Sequence, residues 1–210
     1  MSPAADAARP ALTKGERTRQ AMLQAAVDIL DEQGPEALTL QAVGERVDRH
    51  PTAAYRHFDS RDHLLAEALG YLIARTSETL TLPDDPRGRI VSVALALRQM
   101  FHRHPGASTI FVTTPGAYAG SAHLQLLVIG ALRDLGVPET DIAETYQMLE
   151  SYIVGASLFD FAAAPHHLES RRMRHAAVGD PAMDLVTGSS VRIDANNEAA
   201  FRRGIETLLP

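Results

Sequence analysis

The chain has 210 residues and a formal net charge of −6; 45% of it is hydrophobic and none of it is cysteine. That apolar share suffices for a buried core and argues against disorder over most of the length, while the missing thiols exclude disulfides and thiolate chemistry. No apolar run reaches the roughly 20 residues that cross a bilayer, and residues 1–8 lack the charged and apolar regions of a secretory signal, so a cytoplasmic protein with no membrane partner is expected.

Residues 1–12, rich in alanine and proline, read as a flexible arm. Thr13 with Glu16 three residues on makes a capping box, and Met22, Ala25, Ala26, Ile29 and Leu30 follow a 3.6-residue period up to the stop at Gly34-Pro35. A short helix is predicted from Thr39 to about Val47 and another from about His50 to His57. Ser60 then caps a longer helix whose buried stripe is Leu64, Leu65, Ala68, Leu69, Leu72 and Ile73. After the Pro83–Pro86 break come helices at about 87–103, 105–112, 117–135 and 138–163. The last of these aligns Ile142, Tyr146, Leu149 and Ile153. Residues 164–192 carry prolines and glycines without a sustained period and read as a long loop, and a final helix spans about 194–208. With no period-2 alternation anywhere, the fold class is all-α. A three-helix domain at 13–60 precedes a larger helical domain at 61–210.

Charge is unevenly spread. Arg9, Lys14, Arg17 and Arg19 face Glu16 alone; Arg46, Arg49, Arg56 and Arg61 follow with His50 and His57, opposed by Asp48 and Asp59. From Asp62 onward 17 acidic residues meet 12 basic ones, so the negative sum belongs to the second domain. The basic clusters read equally well as solvated helix faces or as a local patch for a polyanion.

Residues 39–58, TLQAVGERVDRHPTAAYRHF, place two short helices across Val47-Asp48-Arg49. Leu40, Val43, Val47, Ala54 and Phe58 supply the contacts that fix their crossing. The turn needs a residue with positive φ, and Asp48 tolerates that geometry better than most. The second helix is too short to bury much. Its outer face of Arg49, His50, Thr52, Arg56 and His57 is rich in donors, as major-groove reading requires.

The segment 38–65, above all HPTAAYRHFDSRDHLL, resembles the DNA-binding domain of the TetR family, and the similarity covers about residues 13–75. Two positions depart from the family pattern, Asp48 for the usual turn glycine and Arg49 for the apolar residue after it. The resemblance implies a helix-turn-helix regulator that binds a double-stranded DNA operator as a homodimer and answers to a small-molecule effector, with repression expected over activation. It also implies roles by position. Thr39, His57 and Arg61 are phosphate contacts, with Arg49 and Arg56 beside them. His50, Pro51, Thr52 and Ala53 meet base edges. Tyr55 lays its ring against the core and turns its hydroxyl to the DNA backbone.

Beyond residue 80 the helix order is similar to the C-terminal domain of the tetracycline-repressor type, where the last two long helices of each subunit build a four-helix dimer interface. On that resemblance Ile153, Gly155, Ala156, Phe159, Phe201, Ile205 and Leu208 are the expected dimer seam; the alternative is that the stripe packs within one subunit. The same resemblance implies an effector pocket with Leu97, Met100, Phe101, Phe111, Tyr118, Leu127, Met148 and Tyr152 as liners. The histidine that holds a drug-bound magnesium in tetracycline repressors falls on Ile110 here, so an apolar or aromatic effector is expected instead. His102-x-His104 and His166-His167 lack metal-ligand spacing, and neither a GxSxG elbow nor an HExxH helix is present. No metal, cofactor or catalytic residue is therefore expected. An effector-independent DNA binder and a small helical enzyme are the rival readings.

Overall fold

The computed structural model describes residues 12–114, 116, 122–159, 173–183 and 190–210; side chains are described over the same residues except 51, 159 and 190–196. Every regular element among the described residues is a helix.

Helix α1, Lys14–Gln33, starts at the expected capping box. The Thr13 hydroxyl accepts the Glu16 N–H at 3.2 Å, and the Glu16 carboxylate accepts the Thr13 N–H at 2.7 Å. The bond from the Thr13 backbone foremost, and then the Thr13 hydroxyl, hold the Glu16 carboxyl below its ordinary value. The helix stops because Gly34 turns the chain at φ 84°, its N–H capping the Leu30 carbonyl, and Pro35 cannot continue it. Helix α2, Leu40–Arg46, is capped by Thr39, and the chain then makes a 3-10 turn at Pro51–Arg56 before α3, Arg61–Glu78, which Ser60 caps. The six residues of the predicted α3 stripe are all buried, and they close with Met22, Ile29, Leu38, Val43 and Phe58 into the core of the N-terminal half.

Arg61 fixes how α3 meets this half. Its Nε donates to the Leu38 carbonyl at 3.1 Å and an Nη to the Pro35 carbonyl at 2.6 Å. The expectation that Arg61 seeks a phosphate is corrected accordingly: its guanidinium already pins the loop before α2.

Helices α4 (Pro86–Arg103), α5 (Pro105–Thr113), α6 (Ala122–Asp134), α7 (Ile142–Phe159) and α8 (Ser190–Leu208) build the second half. Asp85 caps α4 through Gly88 N–H, and Arg87 at its first turn donates to the carbonyls of Glu206 and Pro210, tying the C-terminus to α4. The two halves share one continuous core. Where α5 begins they approach closely: a Cβ at Gly106 would lie 2.5 Å from Leu30 Cδ1, so a larger residue would push the Leu30 side chain aside. Beside it His104 Nδ1 sits 2.8 Å from the Asp31 carboxylate.

Three expectations change in detail. The second short helix is a 3-10 turn, because Pro51 and the early exit at His57 leave too few residues for i→i+4 bonding. The final helix begins at Ser190, four residues sooner than expected. Within the predicted 164–192 loop, residues 173–176 form a helical turn and Pro181–Met183 a 3-10 turn. The arm at 1–11 and the rest of that loop lie outside the described residues.

Candidate nucleic-acid interface

The connection between α2 and the Pro51–Arg56 turn is a Schellman motif. Asp48 N–H bonds to the Glu45 carbonyl at 3.1 Å, and Arg49 N–H reaches back to the Gly44 carbonyl at 3.0 Å. Asp48 takes the left-handed position at φ 52°, the one positive φ outside glycine among the described residues. The departure from glycine therefore leaves the turn geometry whole. Asp48→Gly should remove the cost of a Cβ there and raise stability by about 0.5–1 kcal/mol, less than the full left-handed penalty because glycine costs more chain entropy. Urea denaturation of the two proteins would measure it.

His50 opens the next turn: its Nδ1 accepts the Thr52 N–H at 3.3 Å and lies 2.8 Å from the Thr52 hydroxyl. With three residues per turn, Ala54 faces inward and is fully buried, while Thr52, Tyr55 and Arg56 face out. Phe58 follows into the core. Its ring is fully buried, edge-on to His63 at 6.1 Å, with the Arg19 guanidinium 5.5 Å above it. Arg19 is itself held by Glu67 of α3. A small apolar pair thus props a stubby polar turn away from the body of the protein.

Tyr55 needs correction. It is 60% exposed, so its ring does not lie against the core; Ala54 and Phe58 have taken the inward positions. The structure brings Arg49, His50, Thr52, Ala53, Tyr55, Arg56 and His57 onto one outward surface, with His57 half-buried against Phe58. Pro51 occupies the first position of the turn, and its side chain lies outside the described ones. Thr39 stands at the start of α2, where its oxygen accepts the Ala42 N–H at 3.1 Å and its own proton stays free to donate.

The fold adds residues to this surface that motif reading alone missed. The first turns of α1 run beside the Pro51–Arg56 turn, and shallow hollows between them are lined by Lys14, Arg17, Thr18, Arg49, Arg56 and His57, with no carboxylate in the lining. The uneven charge along the sequence was the available signal. Two clusters far apart in the chain fold into one basic patch, which reconciles a net charge of −6 with a polyanion partner.

Residues 22–68 match the family described as bacterial regulatory proteins, tetR family. The chain is 25% identical over 144 residues to an HTH-type transcriptional regulator of Saccharopolyspora erythraea, covering 69% of this chain and 61% of that one. It is 24% identical over 200 residues to the class C tetracycline repressor protein of Escherichia coli, covering 91% and 88%. The likeness to the TetR family is thus direct over residues 22–68 and more distant along the rest of the chain. Among solved structures, a TetR regulator of Streptomyces coelicolor, SCO7222, superposes with a TM-score of 0.72 at 24% identity, over 90% of this chain and 94% of that one. BioQ bound to its double-stranded DNA operator does so at 0.59 and 21%, over 84% and 98%. The TetR chains are transcriptional regulators rather than enzymes, and no described helix here is long and apolar enough to cross a membrane.

In the second half a cavity of about 60 Å³ lies between α3, α4, α5, α6 and α7. Of the predicted liners, Leu97, Phe101 and Phe111 reach it, and the two phenyl rings meet edge to face at 6.1 Å. The others do not. Met100 faces the opposite cleft toward Tyr71 and Arg75, and Leu127 lies off the cavity wall. Met148 is 45% exposed, and Tyr152 stacks on Phe201 at 5.5 Å. Tyr118 lies outside the described residues. The face of α7 that lines the cavity is Tyr146, Leu149, Glu150, Ile153 and Val154. This is the stripe that the 3.6 period had picked out, whereas Met148 and Tyr152 lie on the other side of the helix.

The same rotation corrects the dimer seam. Ile153, Phe201 and Ile205 are 8%, 3% and 0% exposed within a single chain, so the apolar stripe packs inside the subunit. Gly204 lets α8 settle on α7, since a methyl there would overlap the Tyr152 ring. Gly155, Ala156 and Leu208 stay partly exposed, and the side chain of Phe159 lies outside the described ones.

Proposed function

We propose that this chain is a repressor whose Pro51–Arg56 turn enters the major groove of a palindromic operator, paired with that of a second copy, and that a small apolar or aromatic effector in the α3–α7 cavity releases it. Residues 13–60 are the reading module, and 61–210 sense the effector and dimerise. The observation that carries the reading is the outward turn flanked by Lys14, Arg17, Arg49 and Arg56. Phosphate contacts from such a patch supply affinity and register, while Thr52, Ala53 and His50 sit where base edges are met. The second copy seats on the outer face of α7 and α8, where Met148, Gly155 and Ala156 are accessible alongside Ala199 and Arg203.

Helix α3 connects the two activities. Ile73 lines the cavity, and Arg61, twelve residues earlier and so about 18 Å away along the axis, grips the loop before α2. The cavity of about 60 Å³ is far below the roughly 300 Å³ that a drug-sized ligand fills. A ligand therefore enters only by moving the walls, Ile73 included, and binds the moved state better than the one described here. That differential affinity is what shifts an equilibrium between two dimer geometries.

Selecting genomic fragments with the purified protein and sequencing them tests the reading. Recovered fragments should share an inverted repeat with half-sites about one helical turn apart, and capture should fall steeply with salt. Recovery of fragments with no common sequence would leave only a non-specific DNA binder.

A further inference from the structure

The wall of the cavity is apolar except at one end. Ile73, Ile90, Val93, Leu97, Phe101 and Leu149 make up most of it, and the exceptions are Gln125, Tyr146 and Glu150. The Tyr146 hydroxyl donates to Glu150 Oε1 at 3.3 Å, one turn along α7. Burial, and then the charge of the Glu150 carboxylate, push the Tyr146 phenol up to about 12, so it stays a neutral donor. No Lys, Arg or His among the described residues pairs with Glu150, and this long hydrogen bond leaves its second oxygen without a described donor.

A carboxylate at the rim of an apolar cavity is costly unless a counter-charge or strong donor meets it. Every other ion pair in the described structure is made on the outer surface or between elements, with arginine or histidine as the cation. Among the described residues no such partner stands here. Phe101, Phe111 and Tyr146 in the lining favour the same charge, since an aromatic ring attracts a cation that has left water.

Resting on the effector reading of this cavity, we infer that the effector is a small apolar cation, a hydrocarbon or aromatic body carrying one ammonium group that pairs with Glu150 beside the Tyr146 hydroxyl. A neutral ligand of the same shape gains the apolar contacts alone. An anionic one meets the carboxylate and is turned away.

The test uses the full chain and three probes of nearly one shape: 2-phenylethylammonium, 2-phenylethanol and phenylacetate. Dissociation constants come from calorimetry, and the shift in thermal midpoint gives a second readout. The ammonium compound should bind about tenfold tighter than the alcohol or better, the interval that one partly buried ion pair supplies, and phenylacetate should bind weakest. In Glu150→Gln that preference should fall to within about twofold while the affinity for the alcohol is kept. If the alcohol binds as tightly as the ammonium compound, or if Glu150→Gln leaves the ratio unchanged, the cationic assignment is wrong although the cavity remains a binding site. If none of the three binds at millimolar concentration, the cavity is not a ligand site and the effector reading falls with it.

Discussion

Phe58→Ala is expected to destabilise the N-terminal half by about 3–5 kcal/mol, the cost of truncating a fully buried aromatic side chain whose cavity the surroundings cannot close. The site is hard to close because its neighbours come from separate elements. Ala54 precedes it in the short turn, His63 lies on α3, and Arg19 of α1 covers the ring. All three elements meet on this one ring, so a loss of that size is a large part of the 5–15 kcal/mol that typically holds a protein folded. In urea the midpoint of the whole transition should fall, because the two halves share one core and unfold together. Tyr55→Ala should leave the transition in place, because a ring 60% exposed has little burial to lose, and should weaken only the attachment to operator. A transition at the wild-type midpoint for Phe58→Ala would mean that the ring does not anchor the turn.

Replacing Arg49 and Arg56 together by alanine should lower operator affinity by on the order of a hundredfold, with no loss of stability. Both side chains are exposed and make no hydrogen bond or ion pair among the described residues, so neither holds the fold. If each meets a phosphate in both half-sites, the dimer forfeits four contacts, and the slope of log affinity against log salt should become shallower by roughly 3 to 4. A drop in affinity with the salt slope intact would instead make the two arginines base readers. That reading would also predict loss of discrimination between operator and non-operator DNA.

Much of this was legible in the sequence because the decisive signals are local. The Thr13/Glu16 capping box, the Gly34-Pro35 stop, the six-residue stripe of α3 and the left-handed Asp48 each depend on residues within one or two turns, and the fold uses them as they read. What the sequence hid depends on which way a helix is rotated against partners distant in the chain. Met148 and Tyr152 are as apolar as Leu149 and Ile153, but α4 and α5 claim only the latter pair, and the stacking of Tyr152 on Phe201 fixes the rest. Phe201 and Ile205 looked available for a second subunit because a strongly amphipathic last helix reads alike whether its apolar side meets its own chain or another. Arg61 misled for a related reason. A basic residue at a helix start beside a DNA-reading turn suggests a phosphate, and only the path of the chain around Pro35–Leu38 shows two carbonyls waiting for it.

The most direct measurement is photo-cross-linking to a selected operator fragment from a photoreactive side chain placed at residue 52, with the same group at residue 151 on the exposed side of α7 as control. A turn that sits in the major groove predicts adducts from position 52 on bases at two sites about one helical turn apart, suppressed by unlabelled operator and by raised salt. Adducts from position 151 alone, or none on bases from position 52, would show that the chain holds its duplex by some other face.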